Sequence, residues 1–200
     1  MLSGHLDEIF YSIQGEGLDQ GRPHVFCRLG GCPLRCSYCD TPRSWQQQPE
    51  YELHLPNGSL HCVNPVTAST VVEQMHDLLA LFKLDPNDVC LSITGGEVLE
   101  QPEFSAAIAE LWEGEVLLET SGSDEAALMK VVGAVDMVSL DWKLDSLMTK
   151  DLFSRHRECL MALKREGAPA QLKVVVAETT TDEEVNEVFE FIEQNKVEVP

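Results

Sequence analysis

Three cysteines crowd into one short run, Cys32-Pro33-Leu34-Arg35-Cys36-Ser37-Tyr38-Cys39, spaced C-x3-C-x2-C. Three thiolates converging from one loop can hold a metal or cluster and leave one coordination position unfilled. Structural zinc asks for four ligands, often as two C-x-x-C pairs. No second pair exists here, although His61 or Cys62 could supply a fourth ligand. Iron–sulfur clusters are held by cysteine thiolates, commonly four, so three would leave one iron open. The triplet therefore admits three readings: a zinc-stabilised binding module, a catalytic zinc with three protein ligands, though such sites usually use His, or a cluster with a reactive position.

Other residues of chemical interest lie in short polar motifs. Thr94-Gly95-Gly96-Glu97 follows an apolar run. Its plain reading is a tight strand-to-helix turn in which glycine supplies positive φ. Glu119-Thr120-Ser121-Gly122 and Ser139-Leu140-Asp141-Trp142-Lys143 follow two more apolar runs. Here the plain readings are Ser123 as a helix cap and Asp141 with Lys143 as a surface ion pair of little worth. Phe10-Tyr11-Ser12-Ile13-Gln14-Gly15-Glu16-Gly17 reads as a short strand ending in a glycine-rich turn.

The elements that must position these motifs alternate. Buried parallel strands are expected at 25–29, 89–93, 116–119, 135–140 and 172–176, each a short apolar run. Helices are expected over 70–82, where Val71, Val72, Met75, Leu78, Leu79 and Phe82 form a stripe, and from Pro102 to Trp112. Further helices are expected from 123–125 to Val132, over 148–164, and from Asp182 to Gln194. Alternation of this kind makes an α/β fold with a parallel sheet and crossover helices, and ligands gather at the carboxyl ends of its strands. The cysteine loop, Thr94–Glu97 and Thr120–Gly122 all fall there. Residues 46–65 break the alternation; Pro56-Asn57-Gly58 between two alternating runs signals a hairpin inserted after the cysteine loop. One domain over 1–200 is expected. The last residues, Lys196-Val197-Glu198-Val199-Pro200, look like the start of another strand, as though the chain were trimmed or the fold ended early.

Charge narrows the partners. With 34 Asp and Glu against 14 Lys and Arg, the formal net charge is −20. That disfavours direct binding to nucleic acid or to an anionic membrane. A small basic pocket stays open, since Arg22, Arg28, Arg35 and Arg43 fall close together in sequence. No apolar run reaches the roughly 18–20 residues a membrane span needs, and the N-terminus lacks a signal-peptide layout. A cytoplasmic protein is expected, without a disulfide framework among its seven cysteines. Cys27 and Cys90 lie in apolar runs and read as buried core thiols.

C-x3-C-x2-C with an aromatic before its last cysteine resembles the signature of the radical S-adenosylmethionine (SAM) superfamily. The resemblance implies a partial (β/α) barrel in which Cys32, Cys36 and Cys39 bind a [4Fe–4S] cluster. The open iron would chelate SAM, and an electron from the cluster would cleave it to a 5′-deoxyadenosyl radical that abstracts hydrogen. It implies SAM contacts from Gly95, Gly96 and Glu97, from Ser121, Ser139 and Lys143, and from Tyr38 near the adenine. Family members usually read Gly-Gly-Glu-Pro, where this chain has Val98.

Phe10–Gly17, Phe26–Cys32 and Cys39-Asp40-Thr41 together resemble the 7-carboxy-7-deazaguanine synthases of that superfamily. This implies a lyase converting 6-carboxy-5,6,7,8-tetrahydropterin to 7-carboxy-7-deazaguanine with loss of ammonia, on the route to queuosine and related 7-deazapurines. Ile13, Gln14, Gly15, Glu16 and Thr94 would contact the pterin, Arg28 its carboxylate, and Thr41 a Mg²⁺ ion. A protein reductant such as flavodoxin or ferredoxin, and a homodimer, come with the resemblance. Glycyl-radical activating enzymes share the small size and the Asp-x-Lys of the fourth strand; the Ile13–Gly17 run argues against that alternative.

Overall fold

The computed structural model describes residues 2–148 and 152–200. Its strands are β1 (Ser3–Gly4), β2 (Leu6–Ile13), β3 (Pro23–Leu29), β4 (Glu50–Leu55), β5 (Gly58–Val63), β6 (Val66–Thr67), β7 (Cys90–Gly95), β8 (Val116–Thr120), β9 (Met137–Lys143) and β10 (Ala170–Val175). Its helices are α1 (Ala68–Phe82), α2 (Pro102–Leu111), α3 (Glu125–Val131), α4 (Phe153–Glu166) and α5 (Asp182–Asn195). Four of the five starts have a local cause. The Thr67 side chain accepts from Thr70 N–H at the head of α1, Pro102 occupies the first turn of α2, and Thr181 with Glu184 forms a capping box on α5. Asp124, not Ser123, caps α3, accepting from Ala127 N–H. α4 starts at Phe153, later than the helix expected from 148: Met148 is extended (φ −123, ψ 153), Leu152 is the N-cap, and 149–151 lie outside the described residues.

Eight strands make one sheet in the order β10-β9-β8-β7-β3-β2-β4-β5, and β1 pairs only with β6. The five apolar runs become the parallel set β3, β7, β8, β9 and β10. β2 runs antiparallel to β3, and the 46–65 hairpin joins the same sheet through parallel pairing of Glu8 with Glu52 and Ile9 with Leu53. The insertion thus extends the sheet instead of standing apart from it. The tail after α5 forms no strand, but Leu172 N–H donates to Pro200 O, so it lies along the β10 edge.

Side-chain alternation sorts the sheet into two faces. Val25, Cys27, Leu29, Leu91, Ile93, Leu118, Val138, Leu140 and Trp142 join the buried residues of the helices in one apolar core. The alternate positions Arg28, Thr94, Glu119, Ser139, Asp141, Gln171 and Lys173 are polar or charged and take the other face. At its two margins that face is drawn together by the turn after β2. Leu18 N–H donates to Gln171 Oε1 (2.8 Å) and Lys173 Nζ to Glu16 Oε2 (2.8 Å), bridging residues more than 150 apart in sequence. An eight-stranded sheet clipped this way encloses a space, as a partial barrel does.

Ile93 is fully buried at the centre of β7 and does not line the cavity at the strand ends. Ile93→Ala should cost about 2–5 kcal/mol of unfolding free energy, read by urea titration; a loss within error would contradict the packing described.

Candidate active site

The carboxyl ends of β3, β7, β8, β9 and β10 open on a cavity of about 850 Å³. From the cysteine loop come Cys32, Leu34, Cys36, Tyr38, Cys39 and Thr41; from β7, Thr94, Gly95, Gly96 and Glu97; from β8 and its end, Glu119, Thr120 and Ser121. Asp141, Lys143 and Lys173 line it from β9 and β10, and Gln14, Gly15 and Glu16 from the turn after β2. Fifteen sequence-predicted residues therefore meet in one space. Two do not. Ile13 is exposed opposite Pro23 and outside the lining, and Ser139 is fully buried, its hydroxyl accepting from Gln171 Nε2 at 2.9 Å.

Backbone pairing fixes the cysteine loop. Gly31 N–H donates to Ser44 O, Cys32 N–H to Trp45 O and Cys39 N–H to Cys36 O. Ser44 Oγ donates to the buried Asp7 (2.7 Å), and Gln101 Nε2 holds Gly30 O (2.9 Å). The glycine pair docks here: Gly96 N–H donates to Leu29 O and Glu97 N–H to Gly31 O. A Cβ on Gly95 would lie 2.4 Å from Leu29 N and O, and one on Gly96 2.3 Å from Gly31 O. These glycines are required by the loop's own backbone, before any ligand is considered.

Cys36 is buried and Cys32 and Cys39 half-buried, in a small apolar cluster with Leu34, Leu152 and Met148 that limits water. Burial pushes the Cys32 thiol up, while the N–H groups of Leu34 and Arg35 pull it back toward thiolate. Among the described residues, the three loop sulfurs are not found within 4.8 Å of one another as a set, as the ligands of one ion would be. A four-iron cluster gives each thiolate its own iron, so the donor set fits a cluster better than a single zinc.

Glu97 is buried, and its carboxylate accepts from Leu99 N–H (3.0 Å), Thr120 Oγ1 (2.6 Å), Ser121 N–H (3.0 Å) and the Ser121 hydroxyl. No Lys or Arg pairs with it among the described residues. Asp141, by contrast, sits between Lys143 Nζ (3.7 Å) and Lys173 Nζ (3.0 Å), inside the site and not on an open surface. Burial opposes the charge of both lysines, but Asp141 and neighbouring groups prevail and raise both pKa values. Burial pushes the Tyr38 phenol up to about 12, against Lys143, whose Nζ lies 5.6 Å from the ring centre.

Toward the β2 turn, Gln14 Nε2 donates to Glu119 Oε1 (2.7 Å), and Gln14 Oε1 accepts from Glu16 N–H (3.2 Å). Arg28 gives Nε to Glu8 (2.7 Å) and rests over Phe10, and its Nη groups take no hydrogen bond among the described residues. Thr41 Oγ1 donates to Asp40 Oδ1 at 3.3 Å. Sequence reasoning missed Lys173. Its signal was a lone Lys at an alternate position of an otherwise apolar run, at the expected carboxyl end of a strand.

His156, also missed, holds the frame of the site from α4. Its Nε2 accepts from Lys143 N–H (3.1 Å), and Nδ1 donates to Gly122 O (3.3 Å). Burial, helped by Lys143 and resisted by the Gly122 bond, pulls its pKa from 6.5 down to about 4. Below pH 6.5 the unfolded chain takes up a proton that the folded chain refuses until about pH 4. Stability should fall across that window by up to ~3 kcal/mol through this group. Urea unfolding at pH 7 and pH 4.5 should show a shallower loss in His156→Gln than in wild type; parallel losses would refute it. Gly96→Ala, which forces the loop off its seat, should cost about 1–3 kcal/mol and strip most of the iron from reconstituted protein; full iron content would contradict the docking role.

Comparison with known proteins places this geometry in a family. The family model of the radical SAM superfamily matches residues 28–192. A 7-carboxy-7-deazaguanine synthase of Methanothermobacter thermautotrophicus is 35% identical over 188 residues, covering 86% of this chain and 69% of that protein. One of Geobacter sulfurreducens is 32% identical over 200 residues, covering 98% and 78%. The crystal structure of QueE from Escherichia coli superposes with a TM-score of 0.55 at 18% identity, over 98% of this chain and 92% of that one, and supports the fold alone. The chain belongs to the radical SAM superfamily and, within it, to the 7-carboxy-7-deazaguanine synthase family.

Proposed function

We propose that the chain converts 6-carboxy-5,6,7,8-tetrahydropterin to 7-carboxy-7-deazaguanine, releasing ammonia, as a radical SAM lyase of 7-deazapurine biosynthesis. The observation that carries this reading is the meeting, in one cavity, of the three loop thiols, an unneutralised buried carboxylate and a separate hydrogen-bonding end. When bound, the cluster and SAM supply one-electron hydrogen-atom abstraction; the protein's part is to hold, orient and shield.

Cys32, Cys36 and Cys39 would hold the cluster. Glu97, without a cationic partner, suits the ammonium of SAM, with Ser121 and the Gly95–Gly96 backbone beside it. Tyr38 and Lys143 would flank the nucleoside. At the other end Gln14 and Glu119 present amide and carboxylate side by side, a pattern that matches the ring edge of a pterin. Gly15, Glu16 and Thr94 complete that wall. The free Nη groups of Arg28 suit a substrate carboxylate, which a guanidinium can bind in two-point fashion. Thr41 with Asp40 offers hard oxygens of the kind Mg²⁺ prefers, where the ion would polarise substrate oxygens. A one-electron protein reductant such as flavodoxin or ferredoxin would feed the cluster. Homodimers are the commonest assembly of soluble oligomers and are our expectation here. No helix among the described residues is long and apolar enough to cross a membrane.

Anaerobically reconstituted, reduced protein should turn over SAM and the carboxytetrahydropterin to 5′-deoxyadenosine and the deazaguanine product, measured by liquid chromatography and mass spectrometry. Cys36→Ala should abolish turnover. Arg28→Lys should raise KM for the pterin by about tenfold or more, the worth of one charge-assisted hydrogen bond. Formation of 5′-deoxyadenosine only with some other substrate would overturn the assignment.

A further inference from the structure

We propose that Asp19, His24 and Cys90 form a zinc site at the amino-terminal end of the parallel strands, the opposite end of the sheet from the cysteine loop. His24 and Cys90 are direct register partners on β3 and β7, so imidazole and thiol stand side by side on one face. Asp19 reaches them from the 3-10 turn that follows β2. The ligand atoms of the three all lie within 4.8 Å of one another.

The independent sign is His24 Nε2. His24 is completely buried, and this nitrogen has no hydrogen-bond partner. It stands 3.8 Å from Asp19 Oδ2, too far for a hydrogen bond. Two ligands of a tetrahedral zinc, at about 2.0–2.2 Å from the metal, stand about 3.4 Å apart. The separation found is close to that. An unpartnered buried nitrogen is costly to leave, and a metal would use its lone pair.

The surroundings are arranged as metal ligands usually are. His24 Nδ1 is engaged by Ser92 Oγ at 2.8 Å, which fixes the ring and leaves Nε2 on the side of Asp19. Asp19 Oδ1 is engaged by Arg22 Nη1 at 2.7 Å, which turns Oδ2 inward. The Cys90 sulfur lies 3.8 Å from Leu91 O and meets the backbone N–H of Leu117. Imidazole, thiolate and carboxylate together favour zinc among common divalent ions, with water in the fourth position. The ion would tie the turn carrying Gln14 and Glu16 to β3 and β7. This holds whatever the protein turns over.

The test uses the full chain, reconstituted with its cluster, incubated with Zn²⁺ and exhaustively dialysed. Metal analysis should find one zinc ion per chain besides the cluster iron. X-ray absorption at the zinc edge should show a single sulfur ligand. Cys90→Ser and His24→Gln should each lower zinc occupancy at least tenfold while leaving the cluster absorption unchanged. Zinc absent from wild type, zinc with three sulfurs, or zinc retained undiminished by both variants would overturn the proposal. Should either variant fail to fold, the sulfur count in wild type still decides it.

Discussion

The site depends on one buried carboxylate. Glu97 lies behind the glycine pair with both oxygens engaged by donors from the Glu97–Leu99 turn and from the end of β8. Taking an ionised carboxylate out of water is tolerable only when hydrogen bonds replace the lost hydration. Those bonds also tie the end of β7 to the end of β8. Gly95 and Gly96 then set the distance between this assembly and the cysteine loop, since a side chain at Gly95 would meet the end of β3 at Leu29 and one at Gly96 the loop backbone at Gly31. Glu97 positions the strand ends, the glycines position the loop, and the loop positions the thiols. The residue pattern that looks like a ligand motif is first a packing requirement.

A sheet with helices on one face and an enclosed polar space on the other must be closed at its margins, or the polar face would open to solvent. Here the closing contacts are few. Gln171 spans from Leu18 N–H to Ser139 Oγ, and Lys173 bridges Glu16 and Asp141. Ser139 thus serves the site through Gln171, without lining it. The same contacts seat the β2 turn, so the groups at one end of the cavity depend on the last strand. Half-buried ion pairs of this kind contribute little to net stability. What they fix is geometry, the relative placement of two walls that share no backbone hydrogen bonding.

Much of this was legible in the sequence, for local reasons. Apolar runs such as Val89–Ile93 had to be buried strands, and the turn at Pro56-Asn57-Gly58 had to reverse the chain; both appear at those positions, within a few residues. The cavity at the carboxyl strand ends followed from parallel topology. What was not legible is set by contacts distant in sequence. Nothing in Tyr51–Leu55 indicates that this strand pairs with β2, and nothing around Ser139 says that its hydroxyl is taken by a residue 32 positions later. Ser123 and Asp124 are both good caps by type, and only the backbone direction chose Asp124. Asp141 and Lys143 resembled a surface pair because the third partner, Lys173, arrives from another strand.

Charge explains why so acidic a chain keeps its cations where it does. The cavity lining carries five carboxylates, Glu16, Asp40, Glu97, Glu119 and Asp141, against the three cations Arg28, Lys143 and Lys173. Each of those cations is already paired with a carboxylate, of Glu8, Asp141 or Glu16. The space is therefore negative before any thiol ionises, and ionised thiols would make it more so. A cavity with that balance repels anions in general and favours cationic occupants. A sulfonium with an ammonium, and a divalent metal, would offset the excess where it lies, near Glu97 and Asp40. Among the three cations of the lining, Arg28 alone keeps its Nη edge without a hydrogen bond among the described residues, its Nε being directed by Glu8. The acidity of the chain as a whole is thus repeated in the balance of charge inside the cavity.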